Sequence, residues 1–178
     1  CIANGDAFTL DGTQALLLEN DGAGRFADAS ARGGAFFRTK INGRGAAVAD
    51  FDNDGRPDLV LTALADRAIV LRNRDSSGHH WLKLALEGTR SNRDGFGALV
   101  TASVGDRAWV AEALCPVGFL MQGDKRVHFG LGDAAKVDRL SIRWPSGQRQ
   151  EIRDVAVDRI LRLREPAEDA GAGGLMGP

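Results

Sequence analysis

Residues 43–62 read GRGAAVADFDNDGRPDLVLT, and the reading of this stretch decides the fold. At its centre Asp50-Phe51-Asp52-Asn53-Asp54-Gly55-Arg56-Pro57-Asp58 has the form D-x-D-x-D-G-x-x-D. A hard cation such as Ca²⁺ takes about six to eight oxygens, and alternate carboxylates around a tight loop supply them. Asp50, Asp52 and Asp54 offer side-chain oxygens at loop positions 1, 3 and 5. Gly55 allows the sharp turn, the Arg56 carbonyl serves at position 7, and Asp58 closes the loop at position 9. Four aspartates against one arginine would repel one another without a counter-ion. An EF-hand is excluded, because position 12 is Leu61 where a bidentate Glu is required. The flanks AAVAD and DLVLT also read as strands and not as helices. The stretch is therefore predicted to be a strand–loop–strand calcium hairpin, with Asp50, Asp52, Asp54, Arg56 and Asp58 as ligands. Its affinity is expected in the weak range of extracellular modules, ~10⁻⁴–10⁻³ M. A bare acidic turn is the alternative, but three spaced carboxylates followed by a glycine seldom coincide by chance.

Outward from the loop the pattern stays β. Short apolar runs such as ALLLEN (15–20) and AIVLRN (68–73) alternate with Gly, Asn and Asp clusters. HWLKLALEG (80–88), ALVTASVG (98–105), RVHFGLG (126–132) and VDRLSIRW (137–144) continue it. In the last of these, Leu140, Ile142 and Trp144 share one face opposite Arg139, Ser141 and Arg143. No stretch keeps a helical stripe for three turns, so an all-β chain is predicted. LLLEND (16–21) and IVLRNR (69–74) echo each other, with Asn20 and Asn73 separated by 53 residues, a spacing typical of propeller blades. The echo occurs once and stops before Gly78, where DSSG reads as a turn or short linker.

The 178 residues carry 23 Lys+Arg against 24 Asp+Glu, so no basic footprint for nucleic acid exists. No apolar run approaches the ~20 residues of a membrane helix. Cys1 and Cys115 allow one disulfide but no framework. Cys1 stands where a bacterial lipoprotein is acylated, so a lipid anchor is a second reading beside a processed or excised N-terminus.

GRGAAVADFDNDGRPDLVLT, with NDGAGRFADAS (20–30) before it and VLRNR (70–74) after, resembles the FG-GAP or VCBS-type repeat of integrin-like β-propellers. ANGD (3–6) looks like a remnant of a further blade. HHWLKLALEGTRSNRDGFGALVTASVG (79–105), RVHFGLG (126–132) and VDRLSIRWPSG (137–147) resemble the ASPIC/UnbV domain of secreted, cartilage-acidic-protein-like and bacterial proteins. The resemblance implies a truncated propeller-type blade with its calcium loop over residues 1–77. An antiparallel β-sandwich or barrel over 78–165 follows, whereas the tail over 166–178 reads as flexible or partner-bound from its own low apolar content. The resemblance further implies a periplasmic or secreted calcium-binding protein.

The remaining motifs carry less chemistry. Trp144-Pro145-Ser146-Gly147 fits a turn joining two strands, and Gly95, Gly97, Gly130 and Gly132 read as turn, bulge or close-packing positions. Asn92-Arg93-Asp94-Gly95 reads first as a loop tied to its own backbone and second as a ligand site, with Arg93 meeting a carboxylate or sulfate. His79 and His80 point to opposite faces of a strand and cannot easily share an ion, and His128 reads as a hydrogen-bonded strand residue. Residues 136–164 hold eight basic and four acidic side chains, which suits either an acidic partner, an anionic headgroup or a solvated sheet face. No hydrolase, zincin or P-loop motif occurs. The expected function is a non-enzymatic, extracytoplasmic calcium-binding module for protein–protein contact, an accessory subunit of a larger, membrane-associated assembly. The alternatives are a carbohydrate-binding β domain stacking sugars on Trp81 or Trp109, and an accessory or tailoring enzyme with a pocket near Asn92–Gly97.

Overall fold

In the computed structural model the described residues are 1–3, 11–114, 116–118 and 121–167. They form two compact units: Cys1–Arg74 with Pro116–Gly123, and Asp75–Cys115 with Asp124–Pro178. Chain order begins with β1 (Thr13–Gln14), β2 (Leu18–Asn20) and β3 (Phe26–Asp28). Two single 3-10 turns follow (Ser30–Arg32 and Ala35–Arg38), then β4 (Lys40–Ile41), β5 (Gly43–Ala49), β6 (Asp58–Ala63) and β7 (Ile69–Leu71). The second unit starts with β8 (His80–Glu87), β9 (Leu99–Val104) and β10 (Arg107–Glu112). The hairpin β11 (Pro116–Gly118) and β12 (Met121–Gln122) belongs to the first unit. β13 (Val127–Gly132), β14 (Lys136–Arg143), β15 (Arg149–Ala156) and β16 (Arg159–Arg164) complete the second. The chain is all-β, and Asn4, Gly5 and Asp6 of ANGD, Cys115 and the segment 168–178 lie outside the described residues.

The first unit is built on the antiparallel sheet β5–β6–β7, in which Ala46, Leu61 and Ile69 share one row. Its core is small: Ala15, Phe37, Ile41 and Leu61 are buried, with Leu17, Leu59 and Leu71 packed around them. Gly45 on β5 lies so close to the β11–β12 hairpin that a Cβ there would meet Met121 Sδ at 2.7 Å. A side chain at Gly45 would push this hairpin away.

In the second unit the alternation of the sequence becomes two sheets around one core. The four-stranded sheet runs β10–β9–β14–β15 and the three-stranded one β13–β8–β16. Val100, Leu140, Ile142 and Trp144 of the first sheet, with the turn after it, are buried together with Leu82, Leu84 and Phe129 of the second. Each such fully buried side chain contributes about 1.5–3 kcal/mol. Trp144 Nε1 keeps a partner in Gln150 Oε1 at 3.2 Å, so its burial leaves no polar orphan. The WPSG turn closes through Gly147 N to Trp144 O at 2.9 Å, with Gly147 at φ 93°. One pairing departs from an antiparallel sandwich: β16 runs parallel to β8. β15 and β16 are consecutive but lie in different sheets, so the direction of β16 is set by the sheet it crosses into and not by a hairpin.

Candidate metal centre

The acidic loop starts and ends on a hydrogen-bonded rung, because Ala49 of β5 pairs with Asp58 of β6. This places Asp50, one residue beyond the rung, beside Asp58. Both are only 3% exposed. Burying two carboxylates side by side is costly unless something positive or hydrogen-bonding meets them. Backbone N–H groups meet part of that cost. Asp54 N donates to Asp50 Oδ1 at 3.1 Å and Gly55 N to Asp50 Oδ2 at 2.9 Å. Phe51 N donates to Asp58 Oδ2 at 3.1 Å and Asn73 N to Asp58 Oδ1 at 2.7 Å. The bend that aims these donors inward needs left-handed backbone at Asn53 (φ 59°) and Gly55 (φ 85°). Asn and Gly are the residues that tolerate it.

Asp50, Asp52 and Asp58 bring one carboxylate oxygen each within 4.8 Å of one another. Oxygen atoms that close, around a glycine turn, are the kind of donors that a hard divalent cation takes. Asp54 stands apart from this trio. Its Oδ1 accepts from Arg56 N at 2.9 Å, and its Oδ2 meets the Arg56 guanidinium, with Arg72 Nη2 at 3.8 Å. Arg72 also pairs with Asp52. Of the five residues singled out by spacing, the structure therefore gathers Asp50, Asp52 and Asp58, and it gives Asp54 to Arg56 and Arg72. Arg72 and Asn73 had no signal in the loop's own sequence, because they arrive from the end of β7.

The FG-GAP-like repeat model matches residues 4–61 and the ASPIC and UnbV model matches residues 88–170. The chain joins an FG-GAP-like repeat to an ASPIC and UnbV domain. Among known proteins it is similar to Cartilage acidic protein 1 of Xenopus tropicalis, 27% identical over 135 residues, and of Homo sapiens, 29% identical over 138. The mouse protein of the same name is 27% identical over 137 residues. Each match covers 71% of this chain and 20% of the relative, so the chain spans about a fifth of their length.

In the ASPIC and UnbV unit the Asn92–Gly95 turn is tied to its own backbone: Asn92 Oδ1 accepts from Phe96 N at 2.8 Å and Asn92 Nδ2 donates to Phe96 O at 2.7 Å. Asp94 instead meets Arg93 Nη2 at 2.9 Å and Lys125 Nζ at 2.6 Å. Those two bonds hold its carboxyl below the usual carboxylate range. The adjacent histidines serve different acids, His80 Nδ1 lying 2.7 Å from Asp158 Oδ2 and His79 Nε2 3.8 Å from Asp133 Oδ1. Arg107 sits over the Trp109 ring, 5.4 Å from its centroid, and so occupies one face a sugar would use.

The most heavily bonded acid of this unit, Glu165, was not legible as a special residue. It is 2% exposed. Its Oε2 accepts from the N–H groups of Thr89, Arg90 and Ser91, each at 2.8 Å. Its Oε1 accepts from Ser91 Oγ at 2.8 Å and from Ser146 Oγ. Burial by itself raises the pKa of this carboxyl, but the donors from Ser146, Ser91, Arg90 and Thr89 outweigh it and bring it down to about 2. Glu165 thereby clasps the 89–91 loop and the WPSG turn to the end of β16.

Proposed function

We propose that this chain is a calcium-stabilised, extracytoplasmic module for protein–protein contact, secreted or periplasmic, without a reaction of its own. The observation that carries the reading is the convergence of Asp50, Asp52 and Asp58 oxygens on a strand–loop–strand hairpin. In this reading those three residues hold Ca²⁺, and the Arg56 carbonyl and Asp54 are the further ligands that the loop spacing assigns. The ion supplies positive charge to a buried carboxylate pair and fixes the loop between β5 and β6.

Two further features support a contact role. Six of the eight exposed large apolar side chains among the described residues lie in the first unit, Phe51 within the loop itself. These side chains give a partner apolar surface to cover. In the second unit the Glu165 carboxylate is saturated with donors, which suits a structural clasp and not a general base. Among the described residues no helix is long and apolar enough to cross a membrane.

Calorimetric melting in Ca²⁺ and in chelator tests the metal. A tenfold excess of free ion over Kd stabilises by roughly 1.4 kcal/mol. For a unit of this size that raises the first unit's melting temperature by about 5 °C or more. Asp50→Asn should abolish the response. Identical wild-type melts in both conditions, with no ion bound by elemental analysis, would overturn the reading.

A further inference from the structure

The ASPIC and UnbV unit holds a cleft of about 630 Å³ between the end of β8, the Arg93–Asp94 turn, Lys125–Arg126 and β16. That volume is in the range of ligand sites, roughly 300–1,000 Å³. Arg93, Lys125, Arg126, Arg162 and Arg164 line it, against Glu87 and Asp94.

The acids are already committed. Asp94 is shared by Arg93 and Lys125, and Glu87 lies 3.4 Å from Arg164. Asp124 is clasped by Arg126, with Nε–O distances of 2.9 and 2.8 Å, and also meets Lys83 Nζ at 3.6 Å. Two of these carboxylates thus face two cations each. Arg162 is exposed and has no ion pair among the described residues. Among the described residues the cleft carries a surplus of positive charge, five cations against two acids.

We propose that this cleft receives an extended acidic peptide segment of a protein partner. The proposal rests on the reading of the chain as a contact module and assigns part of that contact to the second unit. Four of the five cations are guanidiniums, whose planar forks match carboxylates two bonds at a time. Ala85, the strand partner of Arg162, adds apolar surface beside it, which suits the side chains between acidic residues. Among the described residues no aromatic ring lines the cleft to stack a sugar. Arg162 and Arg164 stand two apart on β16 and so lean to the same side of the strand. Acidic residues at alternate positions of an extended peptide have the same spacing. Basic residues on a β edge also guard against aggregation. That role does not draw cations inward, whereas here the Arg126 side chain is only 21% exposed.

Fluorescence anisotropy of the full chain with a labelled peptide of glutamates alternating with leucine and alanine tests this, in calcium and in chelator. Saturable binding is expected, weakening about threefold or more when salt rises from about 50 to about 300 mM. Arg162→Glu should weaken it about tenfold. Arg139→Glu, the same charge change on β14, should bind as wild type does. Arg93→Ser, at a side chain 85% exposed, should weaken binding without moving the melting temperature. Absence of saturable binding, or equal binding by wild type and Arg162→Glu, overturns the proposal. So does binding of a sulfated polysaccharide or an anionic phosphatidylserine vesicle where the peptide does not bind. A calcium-independent first unit with intact peptide binding would sink only the metal reading. A normal calcium response without peptide binding would sink only the cleft.

Discussion

Removing the Glu165 clasp should cost more than any surface charge, and the cost should depend on what replaces it. Glu165→Ala leaves the N–H groups of Thr89, Arg90 and Ser91 without their acceptor. Unsatisfied groups of this kind cost about 1–3 kcal/mol each, and water entering the gap recovers part of that, so a loss of about 3–5 kcal/mol is expected. Glu165→Gln keeps one oxygen for the three N–H groups and turns its amide toward Ser91 and Ser146, whose hydroxyls can accept. Only the charge-assisted part is lost, about 2–3 kcal/mol. The ionisation adds a second signature. A carboxyl held at about 2 against an ordinary 4.5 stores about 3 kcal/mol, at roughly 1.4 kcal/mol per unit. Because the folded value lies below the unfolded one, this stability is whole above about pH 4.5 and drains away as pH falls toward about 2. All three tryptophans, Trp81, Trp109 and Trp144, belong to the second unit, so urea unfolding followed by tryptophan fluorescence reads that unit selectively. Wild type should lose stability steeply below pH 4.5 and Glu165→Gln much less. If both variants stay within about 0.5 kcal/mol of wild type at neutral pH, or the acid slopes coincide, the clasp is not what holds this corner.

Two other substitutions separate competing accounts. Asp58→Asn should lower Ca²⁺ affinity about tenfold or more, and Asp54→Asn only about two- to threefold, because Asp54 is committed to Arg56 and Arg72. Isothermal titration calorimetry measures both, and equal losses would mean that Asp54 holds the ion as directly as Asp58 does. Gly88→Ala should destabilise the second unit by about 1–3 kcal/mol, since its Cβ would lie 2.1 Å from the Asn92 carbonyl oxygen. Tryptophan-monitored unfolding at neutral pH checks it, and an unchanged midpoint would mean that the 88–93 loop yields freely.

What the sequence determined by itself was local. The spacing of Asp50, Asp52 and Asp58 across Gly55 specified a turn and its carboxylates, because eight or so residues are enough to close such a loop. Alternation along VDRLSIRW set which face of β14 is buried, since a strand places neighbours on opposite sides whatever it pairs with. Pro145 and Gly147 marked the turn after it for the same reason. Partner choice over long separations was not written that way. Arg72 reaches Asp52 across 20 residues, Asn73 reaches Asp58 across 15, and Glu165 reaches the 89–91 loop across 74 to 76. The passage of Pro116–Gly123 into the first unit and the parallel run of β16 along β8 belong to the same class. Such pairings have no period or spacing to announce them. They are decided only once burial has removed water from competing donors and acceptors, and each orphaned group must take whichever partner the packed chain brings within reach.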